Sequence, residues 1–234
     1  MGPAGAASRV GPADDGPLPS GLRGAMDPNQ ASAADIARRT LAAYEASAAS
    51  FWEGTRDHDV RQNYEALLSR LEGVAPFTIL DVGCGPGRDV AWFARQGHTA
   101  VGLDGCAAFV EMARHHSGCE VLHQDLLSLD LPEERFDGVF ANASLFHVPS
   151  PALPQVLRAL WRALRPRGVF FTSIPHGDNR EGWNGARYGV YHDLEGWRRY
   201  CTAAGFSELI HYYRPEGRPR SEQPWLASAW RKEP

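Results

Sequence analysis

The sequence has 234 residues, 43% of them hydrophobic and 10% aromatic, so it can bury a sizeable core and is not disordered as a whole. Its formal net charge of −4 gives no strong field for attracting nucleic acid, and no nucleic-acid partner is expected. No apolar run reaches about 18 residues, so we expect no transmembrane helix and no membrane association. Because a secretory signal is also lacking, the sequence predicts a cytoplasmic protein.

The cysteines and the first segment point to no special chemistry. Four cysteines, at positions 84, 106, 119 and 201, lack the C-x-x-C spacing of a zinc site. They are interpreted as small buried hydrophobic residues, and no metal is expected. Residues 1–30 are rich in Gly, Pro and Ala, which predicts a disordered leader.

Two helices are predicted within residues 31–73. Ile36, Leu41 and Tyr44 recur at spacings near three and four, and a second apolar face runs over residues 59–71 until Gly73 ends it. Residues 51–58 between them, which include Trp52, are rich in aromatic and hydrogen-bonding groups and are predicted to form a loop. We expect residues 31–73 to form an N-terminal helical lid over a ligand.

Residues 74–234 alternate short apolar runs with helical segments. Strands are predicted over residues 77–82, 98–104, 119–124, 136–141 and 169–174. Helices are predicted over residues 89–96, 107–116, 150–164 and 193–204, and Ser150 and Pro151 are expected to begin the third of them. Right-handed crossovers then give a parallel sheet. The last two strands, 209–213 and 225–230, are joined by a loop too short for a crossover helix. The predicted fold is an open, doubly wound α/β fold with a mostly parallel seven-stranded sheet and a final antiparallel strand pair.

The segment after the first strand distinguishes between nucleotide cofactors. Gly83, Gly85 and Gly87 let the backbone turn sharply and approach a ligand closely. Arg88 stands where a dinucleotide fingerprint needs its third glycine, so that fingerprint fails. A carboxylate at Asp81 would repel a pyrophosphate but would favour an ammonium group.

The pattern D-x-G-x-G-x-G that these residues form resembles the first motif of the class I S-adenosylmethionine-dependent methyltransferases. The resemblance extends over about residues 75–232 and implies S-adenosylmethionine as the cofactor. An acidic side chain at the end of the second strand can accept both ribose hydroxyls. In this family an acidic residue after the third strand takes the adenine amino group, and the stretch after the fourth strand runs beneath the methionine moiety. The candidate cofactor residues are therefore Asp81, Gly83, Gly85, Gly87, Asp104, Gly105, Asp125, Leu126 and Asn142, with Tyr44 and Trp52 of the lid.

The methyl acceptor is expected to meet residues outside this cofactor core. Methyl transfer is an in-line displacement that depends on positioning, and a base is needed only for a protonated acceptor. A substrate-cap insertion is predicted at residues 175–192, mostly as a long loop, where Arg180 or Arg187 could bind a carboxylate. The candidate catalytic residues are His147, Tyr191 and His192, and the candidate substrate residues are His176, Trp183, Arg187 and Tyr188. Each of these side chains has an alternative interpretation as packing.

The predicted function is methyl transfer to a small-molecule acceptor through nitrogen, oxygen or sulfur. Two alternatives remain open: a non-catalytic domain that binds S-adenosylmethionine or a partner, and a methyltransferase that acts on a macromolecule. No oligomeric state follows from the sequence.

Overall fold

A computed structural model describes residues 31–233, and the predicted leader at residues 1–30 lies outside them. Five parallel strands form one side of a seven-stranded sheet: β1 (Thr78–Val82), β2 (Thr99–Asp104), β3 (Glu120–His123), β4 (Phe136–Asn142) and β5 (Leu164–Pro175). On the other side, β9 (Trp225–Lys232) lies antiparallel between β5 and β8 (Phe206–Arg214). The strand order is therefore β3-β2-β1-β4-β5-β9-β8, and the predicted fold is confirmed.

Helices cover both faces of this sheet. They are α1 (Ala33–Thr55), α2 (Arg61–Leu68), α3 (Arg88–Arg95), α4 (Ala107–Ser117), α5 (Leu153–Ala163) and α6 (Leu194–Ala203). One apolar layer contains Leu67 and Phe93 and packs around α2, α3 and α4. The other contains Trp197 and Trp230 and packs around α5 and α6. Burial on both faces explains why the central strands are short continuous apolar runs.

The first helix is longer than predicted, so the prediction of a loop over residues 51–58 is wrong for its first half. It begins after Ser32, whose hydroxyl oxygen accepts the N–H of Asp35, and it continues to Thr55. Phe51 packs against Phe109 of α4, with ring centroids 5.1 Å apart. Trp52 packs against His116 of the same helix at 4.9 Å. These contacts with α4 keep the aromatic residues helical.

The substrate-cap insertion is also more regular than predicted. Residues 180–191 form a separate two-stranded hairpin of β6 (Arg180–Asn184) and β7 (Arg187–Tyr191), where a long loop was expected. Gly185, with φ +58°, permits the two-residue turn between the strands. We call this element the cap hairpin.

The predicted start of α5 at Ser150 and Pro151 is likewise wrong. The helix begins at Leu153, and Pro154 is the proline in its first turn.

The lid, leader and domain boundaries stay predictions. Within the described residues, α2 packs on the sheet, whereas α1 reaches across the carboxyl ends of the strands to the cap hairpin. None of the helices in residues 31–233 has the length and apolar character needed to cross a membrane. Across the same residues, no group of three His, Cys, Asp or Glu side chains has the geometry of a metal site.

Candidate active site

A cleft opens between α1 and the carboxyl ends of the parallel strands. This is the place where open α/β sheets bind ligands. The cleft is lined by these predicted cofactor residues: Tyr44, Gly83, Gly85, Asp104, Gly105, Asp125 and Leu126. His147, a predicted catalytic residue, also lines it.

The glycine turn after β1 has the backbone conformation that its sequence requires. Gly83 and Gly87 have φ of +68° and +89°, which is the left-handed region. A Cβ on Gly83 would lie 2.3 Å from the Cβ of Ser144, and a Cβ on Gly87 would lie 2.7 Å from the Cα of Ala113. Gly83 therefore keeps the turn close to the strand ends. Gly87 lies outside the cleft lining and allows α4 to pack closely.

Asp104 ends β2 and is buried, with 8% of its surface exposed. One carboxylate oxygen accepts the N–H of Gly85 and the other accepts the N–H of Cys106, each at 2.9 Å. Burial raises the pKa of Asp104, and these backbone donors oppose that shift. The side chain thus fixes the glycine turn and also presents a carboxylate to the cleft.

Asp81 lies beneath the cleft, and only 2% of its surface is exposed. Its Oδ2 atom has no hydrogen-bond partner within residues 31–233. Burial raises the pKa of this carboxyl well above its usual value, nearby Asp89 raises it further, and Arg88 opposes the shift. A buried carboxylate oxygen without a partner is costly unless it is protonated or meets a cation. The α-ammonium group of S-adenosylmethionine is such a cation, so this chain's residues fit that cofactor.

A polar network beside Asp81 connects three helices. Arg88 donates to both carboxylate oxygens of Asp89, at 2.6 and 2.9 Å, and to the backbone carbonyl of Thr55 at 2.8 Å. The hydroxyl of Tyr64 donates to the same carboxylate at 2.5 Å. Asn142, a candidate cofactor residue, accepts from Asn63 at 2.9 Å and lies outside the cleft lining. Arg88 therefore ties the end of α1 to the start of α3.

His147 is held by two hydrogen bonds through opposite ring nitrogens. Nδ1 faces the backbone carbonyl of Tyr188, which can only accept, so the proton is assigned to Nδ1. Nε2 then accepts the hydroxyl proton of Tyr44 at 2.7 Å. Burial lowers the pKa of His147 to about 4, with a smaller contribution from Arg187. Burial raises the pKa of Tyr44, and Arg187 opposes that shift. At neutral pH the cleft holds a neutral imidazole hydrogen-bonded to a neutral phenol.

The other predicted acceptor residues lie outside the cleft lining, mostly in the cap hairpin. Trp183 stacks beneath Arg39 of α1 at 4.0 Å and packs edge-on against Tyr188. Arg187 lies over the ring of Tyr44, with 5.0 Å between the guanidinium carbon and the ring centroid. Tyr191 extends its phenol across Gly189, where a Cβ would lie 2.7 Å from the hydroxyl oxygen.

Two histidines that were predicted as catalytic or substrate residues pack away from the cleft. His192 is buried at 4% exposure against Trp197 and Tyr200, with ring centroids 5.7 and 5.1 Å away. His176 packs against Tyr213, with ring centroids 5.3 Å apart. Neither ring lines the cleft.

The apolar roof of the cleft was missed in the sequence. Leu41 approaches Gly105 so closely that a Cβ there would lie 3.0 Å away, and Phe51 lies 3.6 Å from the corresponding position at Gly85. Phe109 completes this surface from α4. The seven-residue spacing of Tyr44 and Phe51 on one helix face was the signal available for finding it.

Comparison with known proteins agrees with this geometry. A family described as "Methyltransferase domain" matches residues 79–168. A ubiquinone biosynthesis O-methyltransferase of Serratia proteamaculans is 33% identical over 181 residues, which cover 71% of this chain and 73% of that protein. This chain belongs to the class I S-adenosylmethionine-dependent methyltransferases.

Other methyltransferases are similar to this chain over different shares of their length. A ubiquinone biosynthesis O-methyltransferase of Pseudomonas savastanoi pv. phaseolicola is 32% identical, with 60% of this chain and 64% of that protein covered. The solved 1,6-didemethyltoxoflavin-N1-methyltransferase of Burkholderia thailandensis superposes with a TM-score of 0.73 at 24% identity, over 89% of this chain and 94% of that one. The predictions that the chain is a methyltransferase and that its cofactor is S-adenosylmethionine are thereby confirmed.

Proposed function

We propose that this methyltransferase acts on a hydroxyl group of a small organic molecule enclosed beneath α1 and the cap hairpin. The observation that carries the proposal is the 2.7 Å hydrogen bond between Tyr44 and Nε2 of His147, inside a cleft with an apolar roof. The relatives named above as O-methyltransferases support oxygen as the accepting atom.

The enclosure of the cleft favours a small acceptor. Leu41 and Phe51 of α1 cover the glycine turn and the end of β2, and the cap hairpin packs against the same helix through Tyr188. A protein or nucleic-acid segment would have to displace this cover. The net charge of −4 also gives no attraction for nucleic acid.

The cofactor is proposed to bind along the strand ends. S-adenosylmethionine supplies an electrophilic methyl group on a sulfonium. Asp81 would hold its ammonium group, Asp104 its ribose hydroxyls, and Asp125 with Leu126 its adenine ring. Gly83 and Gly85 leave the backbone free to approach it.

Tyr44 and His147 are proposed to remove the acceptor's proton. The oxygen of Tyr44 accepts the proton of the acceptor hydroxyl, while its own proton passes to Nε2 of His147. A hydroxyl becomes strongly acidic as its oxygen forms a new bond to carbon, so a base whose pKa is about 4 suffices. The carbonyl of Tyr188 stabilises the imidazolium that forms.

The test is a panel of small phenols and aliphatic alcohols incubated with S-adenosylmethionine and analysed by mass spectrometry. We expect methylation of at least one hydroxyl compound. His147→Gln should lower kcat about 100-fold or more, whereas the affinity for S-adenosylhomocysteine should change less than about twofold. Transfer of the methyl group to a protein or nucleic acid in an extract, with no small hydroxyl compound modified, would refute the proposal.

A further inference from the structure

We propose that Arg187 binds an anionic group of the acceptor, so that the substrates are hydroxyl compounds that also carry a carboxylate or a similar acid. This inference rests on the proposed function and adds the acceptor's charge to it. Three observations support it: the face of the cap hairpin on which Arg187 lies, the pairing of the neighbouring arginine, and the charges around the cleft.

The register of the hairpin separates a packing face from an open face. Trp183 and Tyr188 are paired, as are Glu181 and Val190, so these side chains share one face. Tyr188 and Val190 on that face are buried against Ile36 of α1. The pairs on the opposite face are Arg180 with Tyr191, Gly182 with Gly189, and Asn184 with Arg187.

The open face places a phenol and a guanidinium on either side of a pair of glycines. Tyr191 folds its hydroxyl over Gly189, and Arg187 reaches the ring of Tyr44 at 5.0 Å. A Cβ on Gly182 would meet no atom within 4 Å. The open face is therefore unobstructed at Gly182, and Arg187 on the same face lies next to the Tyr44–His147 pair.

The two arginines proposed from the sequence differ in their pairing. Arg180 forms an ion pair with Asp178 at 2.8 Å, and 84% of its side chain is exposed. Arg187 forms no ion pair with any carboxylate of residues 31–233. Its guanidinium lies over the ring of Tyr44, which orients it, and no carboxylate of residues 31–233 occupies its N–H donors. Arg187 is therefore the arginine available to a ligand.

The charges around the cleft favour an anion at this end. The carboxylates of Asp104 and Asp125 lie at the strand ends, where the cofactor is proposed to bind. His147 is neutral above a pKa of about 4, so it neither attracts nor repels a charged acceptor. A cationic acceptor would be repelled by Arg187 and by the sulfonium, whereas a carboxylate can form a bidentate pair with the guanidinium.

The carboxylate of the cofactor itself is the competing partner for Arg187. The ammonium-binding Asp81 lies beside Arg88, which is bonded to Thr55 at the end of α1. Tyr44, over whose ring Arg187 lies, lines the same cleft as the glycine turn and His147. The carboxylate of the cofactor is therefore a second candidate for this arginine, and the test below distinguishes the two.

The test uses 2-, 3- and 4-hydroxybenzoate and the corresponding hydroxybenzamides as acceptors, with the thermal shift in the presence of S-adenosylhomocysteine and the initial methylation rate as readouts. We expect at least one acid to be bound and methylated with kcat/KM about tenfold or more above that of its amide. Arg187→Met should remove this preference by raising KM for the acid, and Arg187→Lys should restore part of it. The matched control Arg180→Met, at the other end of the same hairpin face, should preserve it.

Four results would overturn the inference. Equal use of acid and amide by the wild-type enzyme, or an unchanged preference in Arg187→Met, would show that the acceptor carries no anion at this position. A loss of S-adenosylhomocysteine affinity in Arg187→Met would assign the arginine to the cofactor. These three results would leave the proposed function intact, because hydroxyl methylation would persist. The fourth result is that the six compounds give neither binding nor product with the wild-type enzyme or with Arg187→Met. If neutral alcohols are methylated in the same assay, an anionic group on the acceptor is likewise excluded.

Discussion

Asp81 is a residue whose ionisation should depend on the cofactor. Its pKa is raised by burial, so this carboxyl gains a proton at higher pH than a free aspartate does. The ammonium group of the cofactor favours the ionised form, and binding is then coupled to proton release. We expect S-adenosylhomocysteine affinity to fall as the pH falls through the raised pKa. Calorimetry in two buffers of different ionisation enthalpy measures the protons released.

The matched control for this linkage is Asp81→Asn, which preserves the shape of the side chain. It should bind S-adenosylhomocysteine more weakly than the wild type at neutral pH and with less proton release. Equal proton release in both proteins would place the titrating group elsewhere, with Asp104 as the next carboxyl to substitute.

Asp104 is expected to affect both affinity and stability. Asp104→Ala should weaken S-adenosylhomocysteine binding by about 1.5–3 kcal/mol, because it removes a charged hydrogen-bond acceptor. It also leaves the N–H groups of Gly85 and Cys106 without their acceptors, so the melting temperature should fall as well. Asp104→Asn retains one acceptor oxygen. Its loss in free energy of unfolding should therefore be smaller than its loss in free energy of binding. Calorimetry and thermal unfolding separate the two effects.

The kcat should depend on pH in an unusual way if His147 is the base. Its folded pKa is lowered from the model-peptide value of 6.5 to about 4, so the neutral, proton-accepting form persists down to that pH. If His147 is the base, lowering the pH through 6.5 should cause no loss of kcat from this residue, and the loss should come only near pH 4. A pH profile of kcat measured with the neutral acceptors tests this. An acid limb near pH 6.5 that disappears in His147→Gln would contradict the structure.

The residues at strand ends were the most predictable part of the site. Gly83, Gly85, Asp104 and Asp125 follow buried strands in chain order, and parallel strands bring their carboxyl ends to one edge. The Tyr44–His147 pair joins residues 103 positions apart, so no local pattern could reveal it. Tyr191 and His192 are adjacent in sequence but have different surroundings, because Tyr191 is the last residue of β7 whereas His192 follows the strand and packs against Trp197 of α6.

At the scale of elements, α1 and the cap hairpin form a common cover. The hydroxyl of Thr40 accepts the N–H of Tyr188 at 3.1 Å, and Trp183 stacks beneath Arg39. Ile36, Tyr188 and Val190 form an apolar cluster separate from the two cores beside the sheet. The hairpin and the first turns of α1 are therefore held by a small set of contacts of their own and should loosen without unfolding the sheet, while the end of α1 stays bound to α3 and α4.

Trp183→Ala should loosen this cover selectively. Losing the indole removes the stacking with Arg39 and the edge contact with Tyr188, so amide hydrogen exchange should accelerate in residues 33–45 of α1. Exchange in β1 and β4 should stay unchanged. Trp161→Ala on α5, which removes a hydrogen bond to Gly205, is the control and should leave α1 unaffected. Equal acceleration throughout the sheet would show that the cover and the core unfold together.

The elements that sequence patterns missed owe their form to distant contacts. The strands of the parallel sheet were predictable because burial on both faces makes them apolar throughout. The last five residues of α1, 51–55, were not predictable, because the aromatic residues among them are held by α4, more than 50 residues later. The cap hairpin has an open face, so its polar residues resemble those of a loop.

At the scale of the whole molecule, β9 connects the parallel strands to the edge strand β8. Its residue Trp230 is fully buried and packs in the apolar layer that contains Trp197. Trp230→Ala should therefore lower the free energy of unfolding by about 3–5 kcal/mol. The control Leu209→Ala, on the exposed side of β8, should cost about 0.5 kcal/mol or less. Urea unfolding measures both; a similar loss in the two variants would contradict this account of β9.

The position of β9 has a consequence for biosynthesis. The ribosome makes β9 after all the other described strands, yet β9 lies inside the sheet between β5 and β8. Until residues 225–232 have left the exit tunnel, β5 and β8 both present unpaired backbone groups to other chains. The sheet is thus completed only after β9 has emerged, and a chaperone that shields these edges would be needed most while β8 is exposed and β9 is still in the tunnel.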